Sequence, residues 1–415
     1  MTTEEKFQYR EQLVTDAIEL REPDRVPVVP LISAYPLFAY GKTMKDNMYD
    51  PRGCFEAYLQ FHRDFEPDLA FGNPCIFSGK AMDIMQPTFL KWPGEKGGLP
   101  DDAPSYQFLE TVFPCIKDDE WDEVLNDKTG WFLSKYMPRN FRTLAPLSGL
   151  KLDYTSLNGF MNLWALGNSS VIGALEKLKV AIQEAGMYMM SILELGNLLT
   201  NMGYPGMIGG SIMCPFDMLG DMALGTEESM IALIERPDEV LELTNRLADD
   251  LVKQANDLGK QGRSVKKIWL YLHKGMDEFM SDEQYRKFYF EPMMKVINAL
   301  IDNGLTPVLQ CQGNYYTRLE HLQDLPKGKC ICFFEKMDMG LAKKKLSGKV
   351  CIGGNLKGSM LQFGKKEDVI AETKRLIDLC GPGGGYIFST DVTIDAAKRE
   401  NLEAMFDTAL TYGKK

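Results

Sequence analysis

The stretches TPVLQCQ (306–312), KCICFFE (329–335), VCIGGN (350–355) and GYIFSTD (385–391) decide the fold. Each is a short apolar run, rich in β-branched or aromatic residues and bounded by turn residues, which reads as a strand. Four more runs precede them: RVPVVPLIS (25–33), PDLAFGN (67–73), GMIGGSIM (206–213) and KIWLYLH (267–273). Near-continuous apolar strands suit a parallel sheet covered by helices on both faces.

Amphipathic helices fall between the later strands. Residues 227–258 carry two helical stretches, the second opened by Pro237. A further helix spans 282–302; Ser281 and Gln284 form a capping box at its start, and Asn303-Gly304 ends it. Residues 366–379 and 398–412 give two more. Eight strands with intervening helices predict an α/β fold, a (β/α)8 TIM barrel. The long gap after the second strand, 75–205, holds loops rich in Pro and Asp and helices near 170–201. It reads as a large helical insertion that covers the barrel mouth, within a single domain of 1–415. The Met-rich run GMYMMSIL (186–193) reads as core helix. A doubly wound sheet is the rival architecture, but the glycine-rich turns do not open helices as its phosphate-binding fingerprint requires.

Composition excludes several classes. The chain has 415 residues, 45% hydrophobic and 25% charged, the balance of a globular protein. A net charge of -11 without a basic stripe argues against nucleic-acid binding. Residues 1–25 are charged throughout, without the apolar region of a signal peptide, and no apolar run is long enough to span a membrane. The nine Cys include no CxxC pair and read as reduced thiols of a cytoplasmic protein. Only three His are present, so a site rich in His ligands has almost no material. His62 and His321 read as helix-surface residues, which leaves His273 alone at a strand end.

Barrels carry their chemistry at the carboxyl ends of strands. Those ends place Tyr35, His273, Lys274, Gln312, Asn314, Tyr315, Glu335 and Asp391 around the mouth. Aromatic residues beside mixed polar groups favour a planar, partly apolar ligand with a few polar anchors.

The chain resembles the uroporphyrinogen decarboxylase superfamily. The resemblance is carried by RVPVVPLI (25–32), DNGLTPVLQCQGN (302–314), VCIGGNLKGSML (350–361), GGGYIFS (383–389) and ENLEAM (400–405), in order and spacing. The stretch HKGMDEFMSDEQYRKFYFEPMMKVI (273–297) resembles one branch, the corrinoid-dependent methyltransferases that act on methyl ethers. Two departures narrow the implied activity. The decarboxylases clamp substrate carboxylates with an Arg pair after the first strand, where this chain reads SAYPLFAYGKTM (33–44) without Arg. The thiol-methylating branch binds zinc through His-x-Cys and a later Cys; here the positions hold Gln310, Gln312 and Asp391 or Val392. The ether-cleaving branch implies a carboxylate-rich metal site, and Glu320 and Glu335 have its Glu-x14-Glu spacing, although its histidine falls at Leu356.

The resemblance therefore implies an O-demethylase component, moving methyl from a small methoxylated, aromatic compound to the cobalt of a corrinoid (cobalamin) held by a partner protein. On that reading His273, Glu335 and Asp391 act as proton donor or metal ligands. Tyr35, Gln312, Asn314, Tyr315 and Lys274 hold substrate, and His273, Glu320 and Glu335 are the candidate zinc ligands. A decarboxylase or lyase acting on a small carboxylic acid is the other reading. A homodimer is left open, since barrels of this size often pair.

Overall fold

The computed structural model describes residues 1–110, 114–150 and 159–414. Six parallel strands stand in chain order in one sheet: Gly210–Ser211, Lys267–Leu272, Thr306–Asn314, Ile331–Lys336, Cys351–Gly353 and Tyr386–Ile387. The second, third and fourth keep close to their predicted bounds, and the other three are shorter than expected.

The first two runs continue the order without forming extended strands. Val28 bridges in parallel to Phe388, the Asp68 amide donates to the Val28 carbonyl at 3.0 Å, and Ala70 bridges to Gly206. Pro27 and Pro30 explain the broken pairing, since proline has no amide to give a ladder. Side chains compensate: Arg25 grips buried Asp68 through two bonds of 2.6 Å, and Asp68 also accepts from the Val28 amide at 2.7 Å. Eight segments therefore contact one another in the order of a (β/α)8 barrel.

Inside, Trp269 stacks on Phe333 with centroids 5.6 Å apart and planes 10° from parallel. Gly353 makes that stack possible, because a Cβ there would stand 2.4 Å from the Phe333 ring. The helices follow the sequence reading closely. Pro237–Lys260, Lys366–Cys380 and Arg399–Thr411 are present, Ser281 and Gln284 form the capping box, and Gly304 adopts a φ of +70°. No described helix is long and apolar enough to cross a membrane.

The segment 75–205 holds Gly79–Met85, an antiparallel strand pair (Leu90–Lys91 with Gln107–Phe108), several short helices and the long helix Ser169–Asn201. Its contacts reach residues that come after the carboxyl ends of the second and third barrel segments. Asn73 donates to the Tyr188 hydroxyl at 2.9 Å, that hydroxyl donates to the Cys75 carbonyl at 3.0 Å, and the Cys115 amide donates to the Ala223 carbonyl at 2.7 Å.

Two expectations are corrected. The Met-rich run is not core: Met187, Met189, Met190 and Leu193 are exposed, and only Tyr188 and Ser191 between them are buried. His62 is not on a surface but fully buried on helix Phe55–Phe65. Its Nδ1 donates to the Tyr58 carbonyl at 2.7 Å, and its Nε2 accepts from the Phe71 amide at 3.2 Å. Burial holds its pKa down at about 4. The helical spacing misled here because a neutral imidazole satisfied at both nitrogens belongs as readily inside as out.

Candidate active site

Strand register brings three of the sequence candidates together. Tyr271 pairs with Gln310, and Gln310 pairs with Phe333. Two residues onward come His273, Gln312 and Glu335 at adjacent strand ends, with a register shift between Cys311 and Asn314. A register shift after Cys311 turns the next amide, and Gly313 donates to Glu335 Oε2 at 2.8 Å. The end of the Thr306–Asn314 strand is thus held by the carboxylate of its neighbour.

His273 is organised by a residue the sequence reading passed over. Its Nδ1 lies 2.6 Å from Asp221 Oδ2, and Lys274 Nζ bonds the other oxygen of the same carboxylate. Asp221 sits on the turn Gly220–Leu224, which continues the helix Pro215–Leu219. Asp217, four residues earlier, shares its helical face and is fully buried. Asp217 accepts the His273 amide at 3.1 Å, the Lys274 amide at 2.8 Å and the Tyr289 hydroxyl. One carboxylate fixes the backbone of the His-Lys pair and the next fixes its side chains. Gly220 lets Lys274 reach this position, since a Cβ there would stand 2.5 Å from the lysine Cδ. The available signal was the Asp-x3-Asp spacing directly after a strand.

The electrostatics arise from this packing. Burial works against a charged His273, but the hydrogen bond and charge of Asp221 outweigh it and raise the imidazole pKa above its ordinary 6.5. Burial likewise opposes ionised Asp221, and the bonds and charges of His273 and Lys274 overcome it, so its pKa falls. Asp217 has no such cation in contact, and burial pushes it up to about 6. With Nδ1 committed to Asp221, the proton that His273 can exchange is on Nε2, which makes no hydrogen bond among the described residues.

The remaining candidates are placed elsewhere. Asp391 Oδ1 accepts from the amides of Gly358 and Val392, both at 2.8 Å, while Oδ2 pairs with Lys357 at 3.4 Å, so this carboxylate holds a turn. Tyr35 is buried, with its ring edge-on to Phe61 and Phe65, and is a packing residue. Tyr315 is fully buried and donates to the Leu272 carbonyl at 3.2 Å, behind the strand end that bears His273. Asn314 bonds Glu278, so its amide is engaged at the rim.

The expected metal site does not assemble. Glu320 stands on the exposed helix Leu319–Leu322, bonded to Lys345 and Gln323. Among the described residues no three His, Cys, Asp or Glu are grouped to hold a metal ion. His273, Glu320 and Glu335 therefore do not fit a shared zinc. All nine cysteines are free and buried, and burial pushes Cys75 and Cys54 up to about 11, far from thiolate chemistry.

Comparison with known proteins agrees with this barrel. The uroporphyrinogen decarboxylase (URO-D) family model matches residues 168–412. A uroporphyrinogen decarboxylase of Azoarcus sp. (strain BH72) is 25% identical over 187 residues, which is 43% of this chain and 50% of that protein. The chain thus spans about half the length of that relative. A methyltransferase from Methanosarcina mazei superposes with a TM-score of 0.61 at 14% identity, covering 97% of this chain and 98% of that one. The family match extends from the long helix through the last strand and its closing helix, and the chain belongs to the uroporphyrinogen decarboxylase family.

Proposed function

We propose that this protein is a methyltransferase that takes a methyl group from a small methoxylated aromatic compound and delivers it to a corrinoid protein. The observation that carries the reading is the Asp221–His273 pair, which raises the imidazole pKa at a strand end of the barrel. The structural neighbour, a methyltransferase, supports the same class.

An aryl methyl ether resists attack because phenolate leaves poorly. The carbon–oxygen bond breaks as methyl passes to a nucleophile, and the oxygen keeps the electron pair and must be neutralised. A reduced corrinoid on a partner protein supplies that nucleophile. The residues of this chain hold the ring with the methyl facing outward, and His273 Nε2 gives its proton to the departing oxygen. Asp221 compensates the imidazolium before transfer, as a carboxylate does for a catalytic histidine elsewhere. Glu335 fixes the Gly313 amide and so the strand end that carries Gln312. Zinc enters no step, since the residues named for it do not gather.

A decarboxylase reading draws on the Azoarcus relative. It requires cations free to clamp a substrate carboxylate. Lys274 is tied to Asp221, and Arg318 is buried on the carbonyls of Gly275, Met276 and Met280. The test is incubation with reduced cobalamin and a panel of methoxyarenes. Methylcobalamin formation that falls in His273→Ala supports methyl transfer. Release of carbon dioxide from an aromatic acid without any cobalt acceptor replaces it with the second reading.

A further inference from the structure

Aromatic residues gather where the insertion meets the barrel. Tyr271 shares a strand face with Trp269, which stacks inside the barrel on Phe333. Its ring centroid lies 5.8 Å from that of Trp269 and 6.3 Å from that of His273. Tyr106 comes from the insertion, just before the short strand Gln107–Phe108. It packs edge-on to Phe77 at 4.8 Å and to Phe108 at 5.6 Å. Phe77 belongs to the loop after the second barrel segment, where Asn73 holds the Cys75 amide at 2.9 Å and the Cys75 thiol donates to the Phe77 carbonyl at 3.6 Å. Tyr106 therefore stands on the side of the barrel where the strands end, as Tyr271 does.

The hydroxyls of these two rings are not engaged. Other tyrosines around the same strand ends use theirs within the chain: Tyr188 donates to the Cys75 carbonyl, Tyr289 to Asp217 and Tyr315 to the Leu272 carbonyl. Tyr106 and Tyr271 have no hydrogen-bond partner among the described residues, and both are only partly buried. Unlike the unpartnered Tyr285 hydroxyl, theirs are not sealed in the core. A ring that only packs needs no hydroxyl, and each of these can donate to or accept from a ligand oxygen. Burial pushes the Tyr106 hydroxyl up to about 12, and the neighbouring Cys75 and Tyr271 add to the rise. Burial raises Tyr271 as well. Surroundings that oppose charge on a phenol oppose it equally on a ligand.

We infer that Tyr106 and Tyr271 determine substrate specificity: their hydroxyls hold an uncharged oxygen substituent on the ring of the methoxyarene, so that a methoxyphenol is taken in preference to anisole or a methoxybenzoate. The inference rests on the methyltransferase reading and adds which arene it accepts. Anisole leaves both hydroxyls unpaired once the ring excludes water. A carboxylate enters the same surroundings without a cation, since Lys274 is tied to Asp221 and Arg318 to backbone carbonyls.

Isothermal titration calorimetry of the full chain with anisole, 4-methoxybenzoate and 2-, 3- and 4-methoxyphenol reads this without any cobalt acceptor. The best methoxyphenol binds on the order of a hundredfold more tightly than anisole, about tenfold for each hydroxyl. The benzoate binds no more tightly than anisole. Tyr106→Phe and Tyr271→Phe keep both rings; each weakens the best methoxyphenol about tenfold and leaves anisole within about twofold. A packing role alone moves both ligands together. Equal affinity for anisole and all three methoxyphenols overturns the inference, as does a preference for the benzoate, binding of none of the five, or native discrimination in both Phe variants. Methylcobalamin formed while discrimination survives both variants overturns the inference and leaves the methyltransferase reading. Discrimination lost in the variants, with no methylcobalamin from any of the five, overturns that reading and leaves the two tyrosines as the ligand-binding pair.

Discussion

Replacing Asp221 by Asn tests the heart of the site without reference to any substrate. The substitution keeps one oxygen and the size of the side chain but removes the charge shared by His273 Nδ1 and Lys274 Nζ. In the native chain Asp221 outweighs burial and holds the His273 pKa above 6.5; without it burial and the Lys274 charge oppose the charged imidazole against Asp217 alone, and the pKa falls below 6.5. The sign for stability reverses with it. Native His273 adds stability that is present below pH 6.5 and lost as pH rises through its folded pKa. In the variant, stability instead falls as pH drops below 6.5. Lys274 is buried, so removing its partner costs about 3 kcal/mol, the low end for breaking a buried pair because the amide oxygen still accepts one bond. A general acid contributes roughly 10²–10⁴ in rate, and the deprotonated variant loses on the order of 10² near neutral pH, partly regained on acidification. With three histidines in the chain, long-range proton–nitrogen NMR resolves every imidazole. A native His273 that titrates below 6.5 refutes this account of the pair, and so does an Asp221→Asn variant whose His273 titrates where it did before.

Other substitutions separate roles that sequence spacing merged. Glu335→Ala frees the Gly313 amide and lowers methyl transfer at least tenfold, while Glu320→Ala, on an exposed helix, leaves it within about twofold, read as initial rates of methylcobalamin formation. Asp217→Ala orphans the His273 and Lys274 amides and the buried Tyr289 hydroxyl and lowers stability by about 3 kcal/mol or more in urea unfolding. Two buried groups also oppose each other in acid. His62, held down at about 4 from 6.5, adds about 3 kcal/mol that is present above pH 6.5 and disappears as pH falls towards 4. Asp217, pushed up from 3.8 to about 6, adds a similar amount below pH 3.8 that disappears as pH rises through 6. Native stability is therefore nearly flat from these two between pH 4 and 6, and His62→Gln uncovers a rise on acidification in pH-dependent unfolding.

The barrel was legible because its strands are buried on both faces and its helices are punctuated. Ser281, Gln284, Pro237 and Gly304 each stand where backbone geometry needs that residue type, and the structure uses all four as read. Legibility ended where one cue carries two physical outcomes. Apolar spacing on Ser169–Asn201 marks a helix with apolar sides, but it does not say which side meets its own chain; the Met-rich run reads as core and faces out. Likewise the apolar run 25–33 marks a barrel segment, but Pro27 and Pro30 limit its pairing to bridges and leave Arg25 and Asp68 to join it to the next.

The site was half legible for a related reason. Strand ends can be read from sequence, and His273, Gln312 and Glu335 do stand at the ends of neighbouring strands. What raises the His273 pKa comes from a different segment, through a helix that begins after another strand. Asp217 and Asp221 differ little in sequence, being two aspartates one helical turn apart. Their environments push them in opposite directions: Asp221 meets two cations and is held ionised, while Asp217 meets two amides and a phenol and is driven towards neutrality. Asp391 shows the converse, a carboxylate at a strand end whose oxygens are consumed by Gly358, Val392 and Lys357. A carboxylate's role is set by the count and charge of the donors that reach it, and those donors come from segments distant in sequence or from its own turn. Strand-end position therefore nominates residues for the mouth, and only the donor set distinguishes the one that tunes a proton from the one that ties a loop.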